Sequence, residues 1–466
     1  MGDNNTENNN EINMDEKDIN KSERYKKAIR SRIIAIVGLI LFLALLVILI
    51  AYGIKFLSSR IVIKTSESVT TASDSLEEAL SASSEEEIDE IIETLLSEAE
   101  VSASEEVTEP VVDPAEELEN KVNAIIDEMS DEEKVAGLFI VTPEQLTGVD
   151  LAVVAGEGTE TALSKYPVCG IVYNEGNILD EEQFKEMISN TKNYSKYDLF
   201  LCMEEGFGKD AVLANKLSYE PTMDASAILD SMDPYNGHTQ AEAVSAYLGK
   251  FGINTVLSLD DLEPCFTVDE EGEPTASDDS KAMFGNDIII AGQMAMQTVA
   301  GFASCGMYVS VGTFPYMRDA DYSPDKKYMT KDVYSKNGAH IFEASIWSGA
   351  QMVSVGCVNT RDMTGDDTPA CFSKKIIDDY LRGEWGYEDL IVITDNLSNS
   401  EITENYDSKE ACLLAIEAGA DILYCPENFE EAYDAVLSAV KDGTLSKERI
   451  EKSLRRIFLV KYANNN

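Results

Sequence analysis

The sequence predicts a (β/α)8 barrel, a TIM barrel, standing behind an N-terminal transmembrane helix and a disordered acidic linker, and three observations carry that prediction. Eight short apolar runs rich in β-branched residues alternate with stretches of helical period between Glu119 and Tyr462. A run of 22 residues, Ile33 to Ile54, contains no charged side chain. Between Thr65 and Asn120 lie 19 Asp and Glu residues and no Lys or Arg. Strand and helix alternating on this scale imply parallel strands, and eight units in roughly 340 residues fit a closed barrel; an open doubly wound sheet is the alternative.

Residues 1–32 are rich in Asn and Glu and read as a disordered cytoplasmic tail. Residues 33–54 are long enough to cross a bilayer as a helix. Lys21, Arg24, Lys26, Lys27, Arg30 and Arg32 crowd the N-terminal flank, so the positive-inside rule keeps that side in the cytoplasm and places the C-terminal domain outside the cell. A cleaved signal peptide competes with this reading, but the apolar stretch exceeds an h-region of roughly 7 to 15 residues and no small-residue cleavage site follows it. The lipid bilayer is thus one expected partner. Residues 55–118 are dominated by Ser, Thr, Glu and Ala, with no aromatic from Thr65 onward, the composition of a solvated, self-repelling spacer, save for a short amphipathic helix expected from Ile88 to Leu96.

The remaining residues, 119–466, hold the barrel. Its strand-like runs are Gly137 to Val141, Cys169 to Asn174, Leu199 to Glu204, Ile253 to Leu259, Met307 to Phe314, Gln351 to Cys357, Leu390 to Asp395 and Ala420 to Cys425. Helical period marks intervening segments such as Glu182 to Thr191, Gln240 to Phe251, Ser373 to Leu381 and Lys409 to Glu417.

Composition narrows the chemistry. With 37 Lys and Arg against 86 Asp and Glu the net charge is −49, which repels phosphate backbones and argues against nucleic-acid partners. Two histidines in the whole chain exclude a His-rich zinc site, and no metal or cofactor is expected. The eight cysteines lack CxxC spacing and several sit inside apolar runs, which suits buried free thiols. A monomer is expected.

In a barrel, residues at the C-terminal ends of the strands converge on one mouth. Here they are Glu204, Glu205, Asp260, Asp261, Asp319, Asp321, Asn359, Asp395, Asn396 and Glu427. Carboxylates in that position suit a glycosidase, in which one group attacks or stabilises the anomeric carbon and another protonates the leaving oxygen. They equally suit a cation site built from oxygen ligands. Asp395 stands out because it directly ends the apolar strand LIVIT, where packing has no use for a charge.

Several stretches in order carry a family resemblance. Pro369 to Leu397, Ala415 to Pro426 and Leu445 to Tyr462, together with Met129 to Val141, Tyr166 to Ile178 and Leu199 to Gly208, resemble the glycoside hydrolase family 3 barrel, close to its single-domain β-N-acetylglucosaminidase branch. The resemblance implies that Asp395, in the TDNL turn, is the nucleophile of a retaining hydrolase, and that glycan or cell-wall fragments are the partner. It implies substrate contacts at Glu204, Glu205, Asp261 and Asn396. The family's K-H-F-P-G-H-G-D-T loop aligns with Gly312 to Ala320, where Phe314, Pro315 and Asp319 remain but Met317 stands in place of the acid/base His. Asp319 is then the candidate acid, or the remnant of a His-Asp dyad. Lys209 replaces a family Arg, Ala282 another, and Cys357 a binding His. Two functions follow: an anchored hydrolase of altered specificity, or a non-catalytic descendant that binds glycan or protein at the same mouth.

Overall fold

The computed structural model describes residues 113–220, 222–259, 266–268, 274–276, 287–315, 331–336 and 339–463. The expected tail, the expected transmembrane helix, the helix expected at Ile88 to Leu96 and nearly all of the expected linker lie outside those residues. Among the described residues no helix is long and apolar enough to cross a membrane.

All eight strand-like runs are strands of one parallel sheet. In chain order the strands are β1 Phe139–Val141, β2 Gly170–Tyr173, β3 Phe200–Met203, β4 Thr255–Leu259, β5 Phe266–Val268, β6 Pro274–Ala276, β7 Tyr308–Phe314, β8 Met352–Val355, β9 Ile391–Thr394 and β10 Leu423–Tyr424. The sheet runs β10-β1-β2-β3-β4-β7-β8-β9, while β5 and β6 form a separate antiparallel hairpin inserted after β4, which the periodicity did not predict. A single parallel bridge, Ile393 to Ile422, joins β9 to β10 and closes the ring. At this seam the Thr394 N–H donates to the Ile422 carbonyl at 3.0 Å, and the Tyr424 N–H donates to Thr394 Oγ1 at 3.0 Å. A doubly wound sheet would leave two edges, so that alternative is ruled out.

Most strands are buried on both faces, as β2, β3, β8 and β9 show along their whole lengths. One face packs into the barrel interior and the other against the helices, so the strands read as continuous apolar runs rather than alternating ones. The helices begin where local chemistry starts them. Ser130 caps Asp131–Ala136, with Glu133 reaching back to the Ser130 N–H, a reciprocal pairing that satisfies two orphan donors. The first described helix, Pro114–Glu128, starts upstream of residue 119, so Pro114 to Leu118, assigned to the linker from composition, form its first turn. The stretch Ser373 to Leu381, expected to be helical, falls for the most part within a π-helix, Lys375–Glu384.

A buried ion cluster holds the seam from behind. Asp421 is fully buried and accepts hydrogen bonds from the Val392 N–H at 3.0 Å, Arg382 Nη2 at 2.7 Å, Arg456 Nη1 at 2.9 Å and Ser453 Oγ at 2.6 Å. Burial alone would raise this carboxyl, yet Arg382, Arg456 and Arg449 override it and hold the group below the usual carboxylate range. The cluster ties β9, the π-helix and the last helix, Lys447–Ala463, to the turn entering β10.

Candidate active site

The strands are parallel, so their C-terminal ends share one rim, and a cleft of about 690 Å³ opens there. It is lined by residues that follow β1, β2, β3, β9 and β10, among them Gln145, Asn174, Glu204, Lys209, Asn396 and Tyr424. A smaller cavity of about 360 Å³ lies beside the ends of β8 and β9, lined by Cys357, Asn359, Asp367 and Tyr406 among others.

Asp395 stands between the two. Its neighbour Asn396 lines the larger cleft, and Cys357, whose backbone and thiol favour the charged form of the Asp395 carboxyl, lines the smaller. The Asp395 N–H donates to the Val355 carbonyl at 2.9 Å, which fixes the residue to the end of β8. The Asn396 N–H donates to Asp395 Oδ1 at 2.7 Å. Burial pushes the Asp395 carboxyl above its ordinary value, and the charge of Glu204 pushes the same way; the Asn396 and Cys357 donors oppose both. The result is a half-buried carboxylate, oriented by fixed donors and facing a second carboxylate.

The paired glutamates after β3 point to different places. Glu204 is exposed to the cleft and accepts a hydrogen bond from the Tyr424 hydroxyl at 2.5 Å. Glu205 is 2% exposed and accepts from the N–H groups of Leu213 at 2.8 Å and Ala214 at 3.3 Å and from the Tyr247 hydroxyl at 2.7 Å. Burial raises the Glu205 carboxyl despite these donors. Glu205 therefore holds the start of helix Val212–Leu217, and its oxygens are engaged inside the protein rather than offered to the cleft.

Asn396 anchors its own turn by accepting from the Ser398 N–H at 2.9 Å, and Ser398 Oγ donates to the Cys425 carbonyl at 2.6 Å, so the turn after β9 is stitched to the end of β10. Asn359 borders the smaller cavity and donates to Asp367 at 2.9 Å, and Glu427 borders a separate surface depression. Asp260, Asp261, Asp319 and Asp321 lie outside the described residues. Both histidines sit on outer helices: His238 stacks on Tyr235 with centroids 5.0 Å apart, and His340 lies exposed 3.4 Å from Glu343. Among the described residues no group of three or more His, Cys, Asp or Glu side chains is placed to hold a metal ion.

Three participants were not singled out from the sequence as site residues. Tyr424 bridges β10 to Glu204, Tyr247 satisfies Glu205, and Cys371 contacts Cys357 with the two sulfurs 4.0 Å apart. Tyr424 could have been found, because it stands near the C-terminal end of the eighth apolar run. Tyr247 and Cys371 are joined to their partners by loops whose path no local pattern announces.

A closed parallel barrel with carboxylates gathered at its C-terminal mouth is the architecture of a family, and residues 132–460 match the model of the glycosyl hydrolase family 3 N terminal domain: the chain belongs to glycosyl hydrolase family 3. In sequence it is 22% identical over 191 residues to a β-N-acetylglucosaminidase/β-glucosidase of Cellulomonas fimi, a match spanning 38% of this chain and 34% of that protein. In structure it is similar to a glycoside hydrolase family 3 β-N-acetylglucosaminidase from Paenibacillus sp. str. FPU-7, with a TM-score of 0.61 and 22% identity over 72% of this chain and 63% of the other. It is also similar to a glycosyl hydrolase family 3 member from Mycobacterium smegmatis str. MC2 155, with a TM-score of 0.58 and 18% identity over 72% of this chain and 98% of that one. The chain thus spans about a third of the length of the curated relative it matches, and the structural likenesses establish the fold.

Proposed function

We propose that the barrel acts on β-linked amino-sugar or cell-wall glycans at the cleft beside Asp395, as a retaining hydrolase tethered outside the membrane by residues 33–54 and the acidic spacer. The observation that carries this reading is the setting of Asp395: a carboxylate at a strand end, oriented by the Asn396 N–H and by Cys357, at the boundary of a cleft whose other wall presents Glu204. In this mechanism the Asp395 carboxylate attacks the anomeric carbon to form a glycosyl-enzyme, and water then releases the sugar. Glu204, held by Tyr424, and Asn396 face the bound sugar, and Lys209 occupies the same wall. The family resemblance assigns Asp319, which follows β7 in sequence, as proton donor to the leaving oxygen and Asp261, which follows β4, as a substrate contact; both lie outside the described residues. Met317 carries no transferable proton, and loss of general acid catalysis typically costs about 10² to 10⁴ in rate, so turnover is slow.

The same Met317 favours a second reading, a non-catalytic module that binds glycan or protein at this mouth. Assaying the protein on aryl β-N-acetylglucosaminides and aryl β-glucosides separates the two. Slow release of aryl alcohol that vanishes in Asp395→Ala supports the hydrolase. No release from any aryl glycoside, with wall-fragment binding unchanged in Asp395→Ala, overturns it.

A further inference from the structure

Two buried thiols sit directly behind the proposed nucleophile. Cys357 and Cys371 lie 14 residues apart in the chain, and their sulfurs approach to 4.0 Å. The Cys371 N–H donates to the Gly356 carbonyl at 3.0 Å, which holds the loop after β8 against the residues entering the π-helix. Among the described residues no other pair of cysteines makes a thiol-to-thiol hydrogen bond. Cys357 also neighbours Asp395, where its backbone and thiol favour the charged form of the carboxyl, so the thiol pair adjoins the carboxylate. Cys357 is 9% exposed and lines the 360 Å³ cavity, which gives a small reagent a path to its sulfur, while Cys371 is fully enclosed.

We propose that Cys357 and Cys371 are a modification site: a two-electron oxidant such as hydrogen peroxide joins them as a disulfide, and that disulfide switches the neighbouring Asp395 carboxylate by removing the Cys357 thiol proton beside it. Cys357 thiolate attacks the peroxide O–O bond, forming a sulfenic acid and releasing one water. The Cys371 sulfur then displaces the hydroxyl, the S–S bond forms, and a second water leaves. Two electrons pass from the sulfurs to the peroxide, and both thiol protons end in water. The sulfurs must close from 4.0 Å to about 2.0 Å, a movement within reach of side-chain rotation when they already touch. The contact with Cys371 and burial both hold Cys357 in its protonated form, so the reduced pair is the resting state and oxidation is slow. An Asp395 that has lost this donor carries its negative charge less readily.

The consequence for turnover rests on the proposed role of Asp395; the consequence for the carboxylate does not. The full-length protein in detergent micelles is treated with hydrogen peroxide, its remaining thiols are alkylated, and it is digested with trypsin. Arg361 lies between the two cysteines, so cleavage there leaves two peptides joined only by the disulfide. In parallel, labelling of Asp395 by a water-soluble carbodiimide, which consumes the protonated carboxyl, is followed against pH. The linked peptides should appear, and the labelling midpoint should move up by about one pH unit on oxidation, the size of one lost hydrogen bond to a carboxylate. Dithiothreitol should reverse both changes. Cys371→Ala, with Cys371→Ser as a second variant, should abolish the response to peroxide. Any aryl-glycoside turnover should fall on oxidation and return on reduction. Absence of the linked peptides, an unmoved midpoint in the cross-linked protein, or an equal shift in the Cys371 variants overturns the proposal. A protein without turnover that still shows the reversible shift sinks the hydrolase reading and leaves the thiol switch standing.

Discussion

Replacing Asp421 by Ala removes the anion shared by Arg382, Arg449 and Arg456. The wild-type carboxylate has no solvent exposure and accepts bonds from Val392, Arg382, Arg456 and Ser453, while the side chains of Arg382 and Arg456 are 8% and 4% exposed. Arg456 would remain buried without its counter-charge, and Arg382 would keep only Asp378, 3.8 Å away. Breaking a buried pair in this way costs about 3–5 kcal/mol, about a fifth or more of the roughly 5–15 kcal/mol that holds a typical domain folded. The unfolding constant should rise about 10² to 10³·⁵-fold, read by urea denaturation followed by circular dichroism at neutral pH. Asp421→Asn keeps the shape and loses the charge, which makes it the probe for pH dependence. The folded carboxyl is held below its unfolded value of about 3.9, so its contribution is complete above that pH and disappears as the pH falls through the folded value. The gap between wild type and Asp421→Asn should therefore narrow below about pH 4. A loss under about 1 kcal/mol for Asp421→Ala, or a gap constant with pH, would refute the account of the seam.

Neighbouring glutamates should separate by phenotype. Glu205→Ala should cost about 1–3 kcal/mol of stability by leaving the donors of Leu213, Ala214 and Tyr247 unmet, whereas Glu204→Ala should leave stability within about 1 kcal/mol and weaken binding of glycan fragments measured by calorimetry. Lys461 is buried, donates to the Cys169 and Asp198 carbonyls, and is pushed down to about 8 by burial. Its folded value lies below the unfolded one of about 10.4, so between those pH values the unfolded chain binds more protons and this group makes stability rise with pH; the difference between wild type and Lys461→Met should grow in favour of wild type by about 3 kcal/mol across that window. Among the seven described cysteines, Cys305 is exposed and six are buried, so brief alkylation of the native protein followed by peptide mapping should label Cys305 first, reach Cys357 slowly through its cavity, and spare the remaining five until urea is added.

The barrel was legible because parallel strands buried on both faces must be written as unbroken apolar runs, and each of the eight runs proved to be a strand. Asp395 was legible for the complementary reason, a charge where packing wants none. Asp421 obeys the same rule, opening the run DILYC, yet it turned inward to arginines up to 39 residues away, and burial in an ion cluster leaves the same local mark as exposure at a mouth. The two glutamates after β3 show the limit clearly: once the strand ends, alternation no longer says which side chain meets the cleft, and the helix that claims Glu205 begins seven residues later. The β5–β6 hairpin escaped because its three-residue strands, FTV and PTA, stand among acidic and turn residues rather than inside an apolar run.

The seam between β9 and β10 also sets an order of events during synthesis. Asp395 rides on one side of that seam and Tyr424, with its bond to Glu204, on the other, so the cleft has its final width only when the seam is shut. Arg456 and Ser453, which clasp Asp421, belong to the last helix of the barrel. A chain still emerging from the ribosome can pair every earlier strand and yet own no finished cleft, and a product cut short within Lys447–Ala463 would carry all the mouth residues without the clasp that brings them together.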